Sequence, residues 1–328
     1  MIPINILCYG DWKYYQLESQ PGPKNKGGGP FTKYARLNTF PEVELILKPE
    51  EATRGIVFAD WLYFHENKNI SDEKVKSFLE LEADFKGIIG TELKFLTWLD
   101  TLRSKLIKNV DCITHVNAYQ RDLYKTVGIE NSKFLADPVP EHLFYPAQKQ
   151  RRLVCMGKIG WNKRTQLVID LFKALKDTSI ETCYLGGASM WGSKENLYAN
   201  ELQKDLEEVT GVFIENATQQ QVAYVLNSSM FYAHVAWHDV SPISQRENMM
   251  AGNVSFSLTH PGLREVTPYN YTDIEEMVAA ILAYPDEKFA EDSAKARDFA
   301  IKTNSYQAWR KQLNLVLEIG GDNNEIPW

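Results

Sequence analysis

Short apolar runs alternate with longer stretches of helical periodicity along most of the chain. Residues 4–9 are largely apolar and stop at Gly10. A polar, glycine-rich stretch follows over 21–30, and a helical segment begins at Phe31. Apolar runs at 43–47, 55–61, 85–90, 111–116 and 133–137 predict further strands. Ser71-Asp72-Glu73-Lys74 has the form of a helix start, an oxygen-bearing cap ahead of an amphipathic run. Residues 118–127 predict a helix halted by Gly128. The stretch 146–152 opens on Pro146 and is otherwise mostly polar, which predicts a linker.

Beyond it the alternation restarts. Strands are expected at 153–156, 181–185, 212–214, 230–237 and 254–258, with a loop over 157–163. Leu167, Val168, Leu171, Phe172 and Leu175 recur at one helical face. Residues 244–251 predict a helix ended by Gly252, and helices fill most of 273–317. Two blocks of alternating strand and helix imply two parallel, doubly wound α/β sheets. The expected domains are 1–148 and 149–303, with a C-terminal helix over about 304–320 packing back on the first.

Composition narrows the class of molecule. Of 328 residues, 44% are hydrophobic and 24% charged, and the net charge is -7. That is a globular composition, and its acidic balance argues against duplex nucleic acid as the main partner, which needs a basic face. Cys8, Cys112, Cys155 and Cys183 each lie in a strand-like run with no CxxC pairing, so they read as buried thiols in a reducing compartment. No apolar run reaches the roughly 18 residues of a membrane span. A cytoplasmic protein is expected, with peripheral membrane contact left open.

In open parallel sheets ligands bind beyond the carboxyl ends of the strands, so the loops there carry the candidate chemistry. Gly27-Gly28-Gly29 ahead of Pro30 would let backbone amides at a helix start approach phosphate; a glycine run can equally be a surface loop. Gly157-Lys158-Ile159-Gly160-Trp161-Asn162-Lys163-Arg164 sets three cations beside a turn, where a diphosphate leaving group needs compensation. The alternative is a solvated charge run, although cations at a helix start oppose the dipole. Asp239 and Glu247, eight positions apart in the stretch 239–252, are strong acceptors for sugar and ribose hydroxyls, or else a loop residue and a surface residue of a helix.

The order of these features resembles the retaining glycosyltransferases of the GT-B fold (family 4, or group 1). Gly27 to Gly29 match their Gly-Gly loop. Phe144-Tyr145-Pro146 matches the aromatic-Pro pair closing their first domain, and Gly157-Lys158…Lys163 matches their Gly-Arg…Lys element. Asp239…Glu247 followed by Asn248-Met249-Met250-Ala251-Gly252 is similar to their Glu-x7-Glu and Ala-Met-Ala-x-Gly elements. Pro261-Gly262-Leu263-Arg264-Glu265 is similar to their Gly-Leu-x-Glu loop. The resemblance implies two Rossmann-like domains facing across a cleft, and sugar transfer from a nucleotide-sugar donor, UDP- or GDP-linked, to a glycan, lipid-linked or small-molecule acceptor. It implies retention, no cofactor and no metal.

It also implies roles. Gly28 and Gly29 would face the diphosphate, Lys158 and Lys163 would neutralise it with Arg164 as a substitute, and Asp239 would meet the donor sugar. Glu247 would hold the ribose, Ser241, Ile243 and Ser244 would complete the donor site, and residues 213–218 would lie near the base. Three features depart from the family. Asp239 replaces a glutamate. No histidine stands at 88–92, where Glu92 would take a polar catalytic role, and His65-Glu66 only partly matches a family pattern. The first domain is short. Two other readings stay open: a transferase acting on modified DNA bases, with Arg103, Lys105 and Lys108 as a basic patch, and a non-catalytic nucleotide-sugar binding protein. Trp12, Tyr14 and Tyr15 are candidates for sugar stacking.

Overall fold

A computed structural model describes residues 3–8, 29–52, 55–64, 68–90, 101–188, 193–236, 239, 242–259, 263 and 266–318. The chain forms two compact units. One holds the first strand, Pro30–Pro138 and the chain from Tyr306 onward; the other holds Val139–Ser305.

The first unit is built on six parallel strands, β1 (Ile4–Leu7), β2 (Val43–Ile46), β3 (Ile56–Asp60), β4 (Phe85–Ile89), β5 (Cys112–His115) and β6 (Ser132–Phe134), in the order β2-β1-β3-β4-β5-β6. Side chains alternate across a strand, so a sheet made of continuous apolar runs must be covered on both faces. Ile4, Ile6 and Cys8 join one core with Tyr34 and Leu37 of helix α1 (Gly29–Leu37). Leu7, Val57 and Ala59 join the other with Val75 and Phe78 of α2 (Lys68–Glu80), Leu106 of α3 (Thr101–Lys108) and Tyr124 of α4 (Ala118–Thr126). The last helix, Tyr306–Leu317, contributes Trp309, Leu313 and Val316 to the first core, and Trp309 lies 4.5 Å from Phe40, centroid to centroid.

Some expected features differ. Helix α2 starts before Ser71, whose buried hydroxyl donates to Phe64 O rather than capping the helix. Arg103 is buried, 3% exposed, and its guanidinium binds Ser71 and Asp72. It therefore cannot serve a surface basic patch with Lys105 and Lys108. Residues 65–67 and 9–28, and with them His65, Glu66, Trp12, Tyr14 and Tyr15, lie outside the described residues.

The second unit has six parallel strands, β7 (Gln150–Ile159), β8 (Glu181–Ala188), β9 (Val212–Ile214), β10 (Ser229–His234), β11 (Val254–Leu258) and β12 (Tyr269–Tyr271), ordered β12-β11-β10-β7-β8-β9. Counted from its own first strand this is the 3-2-1-4-5-6 order of a dinucleotide-binding sheet, which reverses direction between β7 and β10. Leu153, Cys155, Phe231, Ala233 and Phe256 face helices α5 (Thr165–Leu175), α6 (Ser193–Val209) and α9 (Ile274–Leu282). Val154, Cys183, Leu185 and Tyr232 face α7 (Gln219–Ser228), α8 (Ile243–Met250) and α10 (Phe289–Asn304).

Strand β7 is longer at both ends than the apolar run 153–156. It takes in the end of the stretch expected as a linker, and the chain passes from one unit to the other at Pro138 and Val139 instead. Gly157 and Lys158, expected in a loop, continue the strand because they pair with Gly186 and Gly187 of β8. Both Gly157 and Gly186 have positive φ, 144° and 156°, and a Cβ on Gly186 would lie 1.9 Å from Gly157 O. Only glycine fits there. The four cysteines are buried thiols outside any disulfide, and burial pushes Cys112 and Cys183 up to about 12. Among the described residues no helix is long and apolar enough to cross a membrane.

The burial of Trp309 predicts that Trp309→Ala destabilises the first unit by about 3–5 kcal/mol, read as a lowered urea midpoint of that unit.

Candidate active site

A doubly wound sheet opens a crevice at the carboxyl ends of the two strands between which its order reverses. In the second unit these are β7 and β10. Beyond β7 the chain makes a 3-10 turn, Trp161–Lys163, and enters α5 through Arg164. Thr165 closes this loop: its Oγ1 accepts from Gly160 N (3.0 Å) and donates to Gly160 O (3.2 Å). Arg164 holds a left-handed backbone (φ 52°, ψ 44°), which costs a non-glycine residue about 1–2 kcal/mol. Trp161 stands 69% exposed on the same turn.

Beyond β10 the chain reaches Asp239 and then, after Pro242, the start of α8. Lys163 Nζ donates to Asp239 Oδ2 at 2.5 Å, so the ends of β7 and β10 are joined by an ion pair whose partners are 29% and 26% exposed. Burial raises the proton affinity of Asp239, but the adjacent His234 and Lys163 more than offset it and hold the carboxyl well below the usual range. Burial, with the Lys163 charge nearby, lowers the pKa of Lys158. Burial also lowers that of Arg164. Lys158, Lys163 and Arg164 therefore sit at one strand end, with the Asp239 carboxylate on Lys163.

Helix α8 begins at Ile243 with no side-chain cap. Its first amides and the positive end of its dipole form an anion-attracting terminus. Ser244 Oγ accepts from Tyr232 OH at 2.8 Å. Glu247, which as a surface residue would have been solvated, is 2% exposed within α8. On β9, Phe213 stacks on Tyr184 of β8 with centroids 5.8 Å apart and planes at 8°. Asn216 takes a left-handed turn (φ 52°) before Thr218 caps α7. Glu215 lies against Gly187, where a Cβ would come within 3.0 Å of its side chain.

The structure thus brings Lys158, Lys163, Arg164, Asp239, Ile243 and Ser244 to the switch point of one sheet, with Glu247 one turn into the adjoining helix. Gly29 is the first residue of α1, whose remaining residues belong to the first unit. Gly28, Glu92 and Ser241 lie outside the described residues. Three features were not singled out from sequence. Gly186-Gly187 at the end of β8 was visible as a double glycine closing an apolar run. Tyr232 and His234 stand two apart on β10 and so on one face, but inside an apolar run they gave no signal of a site.

At the level of sequence no family model and no curated protein matches the chain. Solved structures do. TarM from S. aureus matches 80% of the chain at TM-score 0.60 and 16% identity, and the chain spans only 54% of TarM. Sucrose-phosphate synthase from Thermosynechococcus elongatus matches 97% of this chain and 98% of its own, at TM-score 0.73 and 12% identity. HepE from Anabaena, solved with UDP and glucose, matches 97% and 99%, at TM-score 0.71 and 12% identity. The fold is GT-B. In a GT-B chain the paired ends of β7 and β10 lie in the unit that carries the 3-2-1-4-5-6 sheet, and both candidate carboxylates, Asp239 and Glu247, belong to it.

The depressed carboxyl of Asp239 makes a linkage prediction. Its folded pKa lies below the unfolded value of about 3.9, so its contribution to stability is present above that value and is lost as pH falls through the folded pKa. Asp239→Asn is expected to lower the urea midpoint at pH 7, and the gap to wild type should narrow steadily below pH 4.

Proposed function

We propose that the protein is a glycosyltransferase that moves a sugar from a nucleotide-sugar donor, UDP- or GDP-linked, to a glycan, lipid-linked or small-molecule acceptor. The observation that carries this reading is the cationic strand end of β7, held by Asp239 beside the uncapped start of α8, at the reversal point of a nucleotide-type sheet. Cleaving a nucleotide sugar leaves a diphosphate, and charge develops on the oxygen that departs. Lys158, Lys163 and Arg164 would compensate it, while the first amides of α8, at Ile243 and Ser244, would take a phosphate oxygen. Supplied with that much positive charge, the donor site needs no metal ion in this reading. UDP in HepE and in the TarM complex supports a nucleotide diphosphate as the ligand class.

Within the same reading Asp239 meets the donor sugar once its amine partner turns to phosphate, and Glu247 accepts from ribose hydroxyls. Transfer proceeds with retention: the leaving phosphate oxygen, on the face the acceptor approaches, helps remove the acceptor proton, and the protein chiefly positions and neutralises. Gly28, Gly29, Glu92 and Ser241 complete the proposed donor and acceptor contacts. The buried thiols suit a reducing compartment, which supports a cytoplasmic setting in this reading.

The test is a thermal-shift and hydrolysis screen with UDP-, GDP-, ADP- and dTDP-sugars. One donor should raise the melting temperature by several degrees at about 100 times its Kd, a stabilisation of about 2.7 kcal/mol. Wild type should hydrolyse that donor slowly. Lys158→Ala should bind it about 10- to 100-fold more weakly, the worth of one charge-assisted hydrogen bond. If no nucleotide sugar shifts the melt and none is cleaved, the reading is wrong.

A further inference from the structure

We propose that His234 is a positioning residue that fixes Asp239 and ties it, through Tyr232 and Ser244, to the start of α8, so that the carboxylate and the helix terminus of the donor site move as one piece. This rests on the glycosyl-transfer reading and adds a residue that the family resemblance does not supply.

His234 ends β10 and is 5% exposed. Its Nε2 lies 3.3 Å from Asp239 Oδ2, the same oxygen that Lys163 holds. Its Nδ1 lies 3.4 Å from Tyr232 OH, and that hydroxyl donates to Ser244 Oγ at 2.8 Å. Tyr232 and His234 are two apart on one strand, and their rings run nearly parallel, 22° apart. The result is a continuous chain, Lys163–Asp239–His234–Tyr232–Ser244, half-buried at its ends and buried at His234 and Tyr232, running from the turn after β7 to the first turn of α8.

Proton counting gives the chain its direction. Burial raises the Tyr232 hydroxyl far above its ordinary pKa, with Cys155, Asp239 and Glu247 adding to the effect, so it stays neutral and has one proton to give. A bare Nε2 lone pair beside a carboxylate would be repelled, so Nε2 is the nitrogen that carries a proton, on the side of Asp239. Tyr232 gives its own proton to Ser244 Oγ at 2.8 Å, and its oxygen is the atom that faces Nδ1 at 3.4 Å.

A purely structural histidine would be costly here. Nε2 is buried and makes no well-aligned hydrogen bond, and a buried polar atom left in that state is a net loss against an apolar side chain of similar size. At 3.3 Å the contact with Asp239 is loose, as catalytic hydrogen bonds commonly are before substrate closes them. The groups that face His234 are Asp239 and Tyr232, with Lys163 beyond the carboxylate.

The experiment is a double-mutant cycle on the full chain. His234→Phe, Asp239→Asn and the combined variant are assayed with UDP-glucose first, then with whichever donor the screen selects. His234→Phe should lower kcat on the order of 10- to 100-fold, the usual result of losing reactive geometry, with KM nearly unchanged. It should have little further effect in the Asp239→Asn background. His234→Gln, which keeps one N–H, should recover most of the loss. Tyr232→Phe, a deletion of one oxygen that spares the packing, should show a smaller fall of the same kind and covers the case in which His234→Phe does not fold. Wild-type kcat in His234→Phe or Tyr232→Phe, full multiplication of the two losses, or no recovery in His234→Gln would overturn the role of His234 while leaving the transferase reading standing. If wild type neither binds nor cleaves any nucleotide sugar, the transferase reading falls first and this role falls with it.

Discussion

A parallel sheet has no free face. The inner strands of both units are buried on both sides beneath helices, so polar chemistry is placed chiefly at the strand ends. In the second unit the edge is further restricted. Helices leaving β7 and β10 depart to opposite sides, and the gap they open is the one place where side chains from two neighbouring strands can meet above the sheet. The Lys163–Asp239 pair occupies that gap. The glycine pair 157 and 186, the turn through Arg164 and the start of α8 are all arranged around it.

Cations gather at this strand end. Lys158 and Arg164 are partly withdrawn from water, and burial makes their charges less comfortable than they would be on the surface. An anion entering the site would meet groups already short of solvation, which strengthens its attraction relative to the same cations in bulk water. The left-handed backbone of Arg164 is a small conformational cost borne at this same turn, in keeping with strain gathering where a loop is shaped for a ligand.

Much of the fold was legible in the sequence because it is written in periodicity. The apolar runs at 43–47, 85–90 and 254–258 and the face of Val168, Leu171, Phe172 and Leu175 correspond to β2, β4, β11 and α5. Strand ends were less legible: β7 runs on through Gly157 and Lys158 because their partners in β8 are also glycines, and no local pattern encodes a cross-strand partner. The cations near 158–164 and the carboxylates at 239 and 247 could be found as loop features after apolar runs. That Asp239 meets Lys163, 76 positions away, follows only from strand order. His234 and Tyr232 were hidden for the same reason, since two polar residues in an apolar strand look like ordinary core until the neighbouring loop is folded over them.

The first unit is assembled from both ends of the chain. Its sheet is complete by Phe134, yet Trp309, Leu313 and Val316 of the last helix fill the face lined by Ile4, Ile6 and Phe40. A ribosome delivers these pieces in order, so the early sheet must wait, with one apolar side only partly covered by α1, while the whole of the second unit is made and can fold first. At about 5–20 residues per second, the interval between Phe134 and Trp309 lasts on the order of ten seconds or more. During that time the growing polypeptide displays the kind of surface that molecular chaperones bind, and premature termination between residue 138 and the last helix would leave it permanently exposed.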